Sequence, residues 1–247
     1  MKPRFSVVVP AYNEGDAVVP VLEGLLSELP VESEVLVVYD FADDATAPAA
    51  AECARADPRV RPTLNTNGRG PAQAIRFGID AAEADVVVVT MADGSDDPAQ
   101  VIPLVELVER GAVVAAASRY SSGGKQVGGP IVKRTMSRVA GLSLQVPAHV
   151  GTKDATSNFK AYSKPFVQAV GIESEQGFEL AIELVAKARR LRRPVNEVPT
   201  VWTDRAQGDS HFRVLAWLPR YLRWYVFAFG PRLELDALRR KAGRRLA

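Results

Sequence analysis

Residues 91–98 read MADGSDDP: the carboxylates Asp93, Asp96 and Asp97 with the small residues Gly94 and Ser95 among them, directly after the apolar run Val86 to Thr90. Such a run suits a parallel strand covered on both faces by helices, and open sheets of these strands bind ligands beyond their carboxyl ends. The acidic cluster therefore stands where a site should be. Three further loops fall on the same edge. The first apolar stretch runs into VVVPAYNEGDAV (7–18), the second into VVYDFADDAT (37–46) and the third into NTNGRGPAQAIRFG (65–78). Two familiar phosphate sites are missing: no G-x-G-x-x-G follows the first strand, and Gly123 to Lys125 lacks both the Walker spacing and its Ser or Thr. Neither a dinucleotide dehydrogenase nor a P-loop enzyme is favoured.

The elements that must hold these loops alternate. Strands are expected at Phe5 to Val9, Glu34 to Tyr39, Arg59 to Leu64, Asp85 to Met91 and Ala112 to Ser118, with amphipathic helices between them. That pattern predicts an α/β fold: a mainly parallel sheet with helices on both faces. Pro48 and Pro98 suit first helical turns, and Asp97 suits the N-cap of a helix running to Arg110. Beyond Ser118 come a Gly-rich loop (121–130), a helix from about Val132, a loop holding Lys153 and Asp154, and a helix from Glu179 to Arg190.

With 247 residues, 47% of them hydrophobic, the chain has enough apolar material for one large domain, or one domain and an appendage. The lone Cys53 excludes an internal disulfide, and no segment reads as a signal peptide, so a reducing cytoplasm is expected. No run reaches the roughly 20 apolar residues that cross a bilayer. The formal net charge of +2 hides an asymmetry, because residues 187–247 hold 15 Lys and Arg against 5 Asp and Glu. A segment this basic attracts nucleic acid, anionic lipid or a phosphorylated ligand. No RNA-module motif accompanies it, and nucleic acid is not expected as a partner.

Taken in order, PAYNE (10–14), the second-strand motif with Asp40, Asp44 and Thr46, GRGPAQA (68–74), MADGSDDP, SRY (118–120) with Gly123 and Gly124, EVP (197–199) and RAQGDSHF (205–212) resemble the inverting family 2 glycosyltransferases. Within that family the nearest likeness is to the dolichyl- or polyprenyl-phosphate sugar synthases. The resemblance spans about residues 4–215 and implies the Rossmann-like GT-A fold. It also implies that Pro10, Ala11, Tyr12 and Glu14 line the base and ribose of a nucleotide, together with Asp40, Gly70 and Asp93. There are departures: Met91 stands where the family often has Asp, Tyr39 replaces a common Asp, and His211 replaces a frequent Lys.

A sugar nucleotide reacts by losing its diphosphate, whose charge must be stabilised. Mg²⁺ or Mn²⁺ needs few protein oxygens when phosphate and water supply the rest. Asp93, with Ser95 as a second contact, is expected to hold it. A hydroxyl acceptor would need a general base, and the Glu-Asp pair of many family 2 polymer synthases is missing, since Glu175 is followed by Gln176. A phosphate monoester is already ionised at neutral pH and needs cations instead. Arg119, Lys133, Ser137, Arg205, Ser210 and His211 match the family's phosphate-contact places, and Asp93, Arg119, Lys133 and Arg205 form the expected catalytic set. Two other readings stay open: a soluble or glycan hydroxyl acceptor with Glu175 or Glu179 as base, and a non-catalytic nucleotide-sugar module.

On a helical wheel the stretch 211–229 sets Arg213, Arg220 and Arg223 on one stripe. Val214, Leu218, Tyr221, Leu222 and Tyr225 lie opposite, with Trp217 and Trp224 at the border. This suits a helix in a membrane interface, or one that packs on the domain. The chain then divides into a catalytic domain (1–211) and a basic amphipathic helix and tail (212–247), peripheral at the cytoplasmic face of an anionic membrane. The lack of a spanning segment raises a partner membrane protein that completes the acceptor site.

Overall fold

A computed structural model describes residues 2–129, 131–204 and 214–243. Strands and helices alternate through β1 (Phe5–Pro10), α1 (Val18–Glu28), β2 (Ser33–Tyr39), α2 (Thr46–Ala56), β3 (Val60–Leu64), α3 (Pro71–Ala81), β4 (Val86–Val89), α4 (Val101–Glu109) and β5 (Val114–Ser118). There follow β6 (Lys125–Val127), α5 (Ile131–Ala148), β7 (Lys160–Ser163), α6 (Lys164–Val170), α7 (Leu180–Arg190), β8 (Val195–Pro199), β9 (Val201–Thr203), α8 (Val214–Ala228) and α9 (Leu235–Gly243). Pro71 opens α3 at the first-turn position, where its missing N–H costs nothing. Asp97 caps not α4 but a short 3₁₀ turn, Pro98–Gln100, that leads into it.

Seven strands form one sheet in the order β3-β2-β1-β4-β7-β5-β8. All neighbours run parallel except β7, which lies antiparallel between β4 and β5. Alternate side chains divide the core in two. Val8, Leu36, Val38, Val87 and Val89 face α3, α5, α6 and α7, while Val7, Val9, Val35, Val37 and Val88 face α1, α2 and α4. The sheet is covered on both faces, as the apolar runs implied. Gly78 lets α3 sit directly on it, since a Cβ there would lie 2.4 Å from a Val8 methyl. Pro62 is tolerated because β3 is an edge.

Three details differ from the sequence reading. The fourth strand stops at Val89, because Asp96 accepts hydrogen bonds from Met91 N (3.1 Å) and Thr90 Oγ1 (3.0 Å) and turns the chain out of the sheet. Four strands, β6 to β9, carry no clear apolar alternation and were not expected. The third concerns α8, where Trp224 is buried, 2% exposed, although the wheel put it at the border. Lys187 explains this: buried on α7 and ion-paired with Glu183 at 2.6 Å and Glu173 at 3.3 Å, it lies against the indole face at 5.2 Å. Arg220 and Arg223 turn onto the domain, to Gln176 and Glu173. Trp224 and Ala228 of α8 and Leu238 of α9 thus join the main core. Leu218, Leu222, Val226 and Phe229, which recur at helical spacing, are left exposed. No helix among the described residues is long and apolar enough to cross a membrane.

Candidate active site

The carboxyl edge of the sheet is built by loops that tie one another down. Asp44, buried, accepts from Asn13 N (3.1 Å) and Thr46 N (2.8 Å), while Glu14 N donates to Thr46 Oγ1 at 3.0 Å. The second-strand loop therefore fixes the PAYNE turn, and Asn13 takes a left-handed backbone there, φ 54°. Ala11 is secured by its N–H to Val38 O at 2.8 Å. Tyr12 is left exposed above Phe41, its ring edge-on at 5.7 Å. Asp40 spends both oxygens on the third loop, accepting from Asn65 Nδ2 and Gly70 N, each at 2.7 Å. Gly70 needs its φ of 107° for that turn, and a Cβ on it would stand 3.1 Å from Gln176 O. Pro10, Ala11, Tyr12, Glu14, Asp40 and Gly70 thus share one rim.

Next on the same edge is the acidic turn. Asp93 Oδ1 accepts from Ser95 N at 3.1 Å, and Ser95 O accepts from Thr203 N at 3.0 Å, so β9 buttresses the turn. Asp96 is half-buried; burial first, then the neighbouring Asp93 charge, push its carboxyl up to about 7. No cluster of three or more His, Cys, Asp or Glu able to cage a metal occurs among the described residues. The donor set suits an ion whose remaining ligands come from phosphate and water, with Asp93 as the protein's carboxylate.

The cationic side is more tightly built. Arg119, just past β5, gives Nε to Asp154 Oδ2 (2.7 Å) and Nη2 to Asp154 Oδ1 (2.9 Å), and its own N–H also meets Oδ2 at 3.1 Å. Such a fork fixes direction as well as charge. Nη2 reaches Ser137 Oγ at 3.1 Å, and that hydroxyl pairs with Thr156 Oγ1 at 2.8 Å. Tyr120 and Trp202 flank the guanidinium. Burial opposes the Arg119 charge, but Asp154 outweighs it and holds the pKa above the ordinary value. For Asp154 burial acts upward and the Arg119 charge wins, leaving its carboxyl below the usual range. Beneath them Lys160, fully buried, donates to Asp154 O at 3.0 Å and to Ser157 O; burial brings its amine down to about 7 despite Asp154. Asp96 and Arg119 feel each other's charge, which joins the acidic turn to the cationic pocket.

The structure thus brings Arg119 and Ser137 together. Lys133 lies one helical turn before Ser137 on α5, its side chain outside those described, and Arg205, Ser210 and His211 lie outside the described residues. Asp154 and Lys160, which position Arg119, were missed. Asp154 is 35 residues from its partner and gives no local signal; the lysine inside the apolar FKAY was the available one.

The model of the family described as Glycosyl transferase family 2 matches residues 6–171. An undecaprenyl-phosphate mannosyltransferase of Micrococcus luteus is 30% identical over 213 residues, covering 84% of this chain and 86% of that protein. A polyprenol monophosphomannose synthase of Mycolicibacterium smegmatis is also 30% identical, covering 84% and 80%. Among solved structures, glucosyl-3-phosphoglycerate synthase from Mycobacterium tuberculosis, in complex with Mn²⁺, UDP and glucosyl-3-phosphoglycerate, aligns with a TM-score of 0.65 at 19% identity over 94% of this chain and 82% of that one. That likeness carries the GT-A-like fold, and together with the motifs along the sheet edge the matches show that the chain belongs to glycosyltransferase family 2.

Proposed function

We propose that this glycosyltransferase moves a hexose from a nucleoside-diphosphate sugar, UDP- or GDP-linked, to a polyprenyl or dolichyl phosphate at the cytoplasmic face of a membrane. The observation that carries the reading is the Arg119 fork, held by Asp154 beside Ser137 and electrostatically coupled to the acidic turn. A fixed cation and a hydroxyl donor suit a phosphate monoester, whose second pKa lies near 6. The names of the relatives, undecaprenyl-phosphate mannosyltransferase and polyprenol monophosphomannose synthase, support this acceptor.

In this account the PAYNE turn, Asp40 and Gly70 bind the nucleotide, and Asp93, aided by Ser95, would hold Mg²⁺ or Mn²⁺. Bound there, the ion supplies positive charge to the departing diphosphate. Arg119 and Ser137, with Lys133, Arg205, Ser210 and His211, orient the acceptor phosphate. One of its oxygens forms the new bond to the anomeric carbon as the bond to the diphosphate oxygen breaks and its electron pair leaves with the nucleotide; configuration inverts. No proton moves in that step, which removes the need for a general base.

Membrane contact is assigned to the outer side of α8 and α5, which Tyr225 OH and Ser143 Oγ join at 3.0 Å. Leu218, Leu222 and Val226 of α8 and Phe229 just after it are exposed, as are Ile131, Val139 and Val146 of α5. With the basic tail this apolar face suits an anionic bilayer, residues 1–211 forming the catalytic body and 212–247 the membrane-facing part. A partner membrane protein completing the acceptor site fits the same face. Exchanging Arg119 for Lys tests the central role: transfer to lipid phosphate should fall by roughly 100-fold, since the fork is lost, with nucleotide affinity by calorimetry nearly unchanged. Unaltered transfer would exclude Arg119 from the acceptor site.

A further inference from the structure

At the amino edge of the sheet, opposite the site described above, the ends of α5 and α7, the start of β8 and the turn after α8 surround a pocket of ≈ 420 Å³. Arg189, Arg192, Arg193, Arg232 and His149 line it, and no carboxylate does. Arg189 donates from Nε to Ala148 O at 2.9 Å and from Nη1 to Gly230 O, so one guanidinium clasps the ends of α5 and α8. Gly151 lets the turn after α5 lie directly on β8, since a Cβ there would stand 2.3 Å from Val195 O. Both α5 and α7 close here in a left-handed residue, a place that favours glycine, yet His149 (φ 51°) and Arg192 (φ 52°) fill those places. Among the described residues only Asn13, in the nucleotide turn, shares that backbone without being glycine. Cations at helix C-termini answer the last carbonyls, and Arg189 does so. Arg192 and Arg193 do not: both are exposed, and neither side chain has a hydrogen bond or ion pair among the described residues. Arg232 meets Glu234 at 3.1 Å, a solvent-exposed pair that holds it weakly.

Like charges gathered around one pocket repel unless an anion joins them, and guanidinium forks match phosphate oxygens. The volume falls within the roughly 300–1,000 Å³ of small-molecule sites, which admits a phosphate with a group attached. Apolar side chains lead up to it: Val146 and Phe229, both exposed, stand three residues before His149 and Arg232. We propose that the pocket seats the phosphate of an anionic phospholipid headgroup, with the acyl chains lying toward Val146 and Phe229. The inference rests on the reading of α5 and α8 as the membrane-facing side. α5 carries Lys133 and Ser137 toward its other end and, at 18 residues, is about 27 Å long. The headgroup thus gives the protein a second hold on the bilayer, far from the acceptor phosphate, that sets how the catalytic edge meets the membrane.

The test is sedimentation of the full chain with vesicles of phosphatidylcholine, with and without phosphatidylglycerol, for the wild type and two double variants, Arg192→Lys with Arg193→Lys and Arg192→Gln with Arg193→Gln. The wild type should prefer the phosphatidylglycerol vesicles. The glutamine pair should lose roughly 30-fold of that preference, the worth of two cations at the surface. The lysine pair keeps the charge but not the forks and should lose roughly 10-fold. Lysine variants that bind as the wild type does would reduce the pocket to a diffuse field and overturn the proposal, and so would an unchanged glutamine pair. In either case vesicle binding by the wild type leaves the membrane-facing reading standing, whereas a wild type that sediments with neither vesicle overturns both. Calorimetry with glycerol phosphate separates the two sources of phosphate: weak or no binding supports the lipid, and binding as tight as to the vesicles would assign the pocket to a free phosphate compound and overturn the lipid. Should the glutamine pair lose its cooperative melt, the lysine pair decides.

Discussion

Asp154→Asn is the perturbation that probes the site's construction most sharply. The asparagine keeps the shape and one acceptor oxygen but removes the charge that faces Arg119, whose side chain is only 13% exposed against 0% for Asp154. Removing one partner of a buried pair leaves the other charge uncompensated, which costs about 3–5 kcal/mol. At about 2–4 °C per kcal/mol for a chain of this size, the melting midpoint should fall by about 6–20 °C. Transfer should fall further than stability explains, measured at a temperature where the variant is folded, because the fork no longer aims the guanidinium past Ser137. The pH dependence has a definite sign. Asp154 is held below its ordinary range, so its contribution is complete above the unfolded carboxylate pKa of about 3.9 and is lost as pH falls through the lower folded value. Arg119→Met combined with Asp154→Leu should recover much of the midpoint, since an apolar pair replaces an ionic one, without recovering transfer. Circular dichroism melts and initial rates read both quantities. A midpoint within 2 °C of wild type for Asp154→Asn, with full transfer, would refute the reasoning.

Gly78→Ala should lower the midpoint by about 2–12 °C, from about 1–3 kcal/mol of overpacking, because its Cβ would stand 2.4 Å from Val8 while no site residue moves; nucleotide affinity should persist. Val226→Glu, at a position 67% exposed on α8, should reduce binding to anionic phospholipid vesicles by roughly 10-fold in a sedimentation assay, with activity on a detergent-dispersed short-chain acceptor retained. Cys53, whose thiol is pushed up by burial, should react with iodoacetamide at neutral pH more slowly than a free cysteine, as mass spectrometry of timed samples would record.

The parts of the fold that were legible in the sequence are those where one local signal suffices. β1, β2 and β4 are apolar runs ending in Gly, Asp or Asn loops, and both faces of each strand are buried. β7 escaped because it is short and opens on Lys160; a lysine there reads as solvent-facing until Asp154 O and Ser157 O are in place to receive it. β8, VNEVP, is an edge strand, where half the positions stay wet and the apolar pattern fades. That Pro10 to Glu14, Asp40 and Gly70 share one sheet edge was legible because they lie in contiguous loops after successive strands. Arg119 and Ser137 were reached through the family resemblance, but the carboxylate that aims Arg119 comes from a distant loop and needed the fold. The wheel of α8 failed at Trp224 for the same reason: periodicity separates apolar from charged faces, while the choice of inward face was made by Lys187 and Glu173.

The most direct test of the account is transfer of label from UDP- and GDP-sugars into a polyprenyl-phosphate extract, partitioned between chloroform and water, with Mn²⁺ and again with EDTA. The account predicts chloroform-soluble label from one of the nucleotides that disappears with EDTA. Label that stays in the water phase, or lipid label indifferent to EDTA, would contradict it.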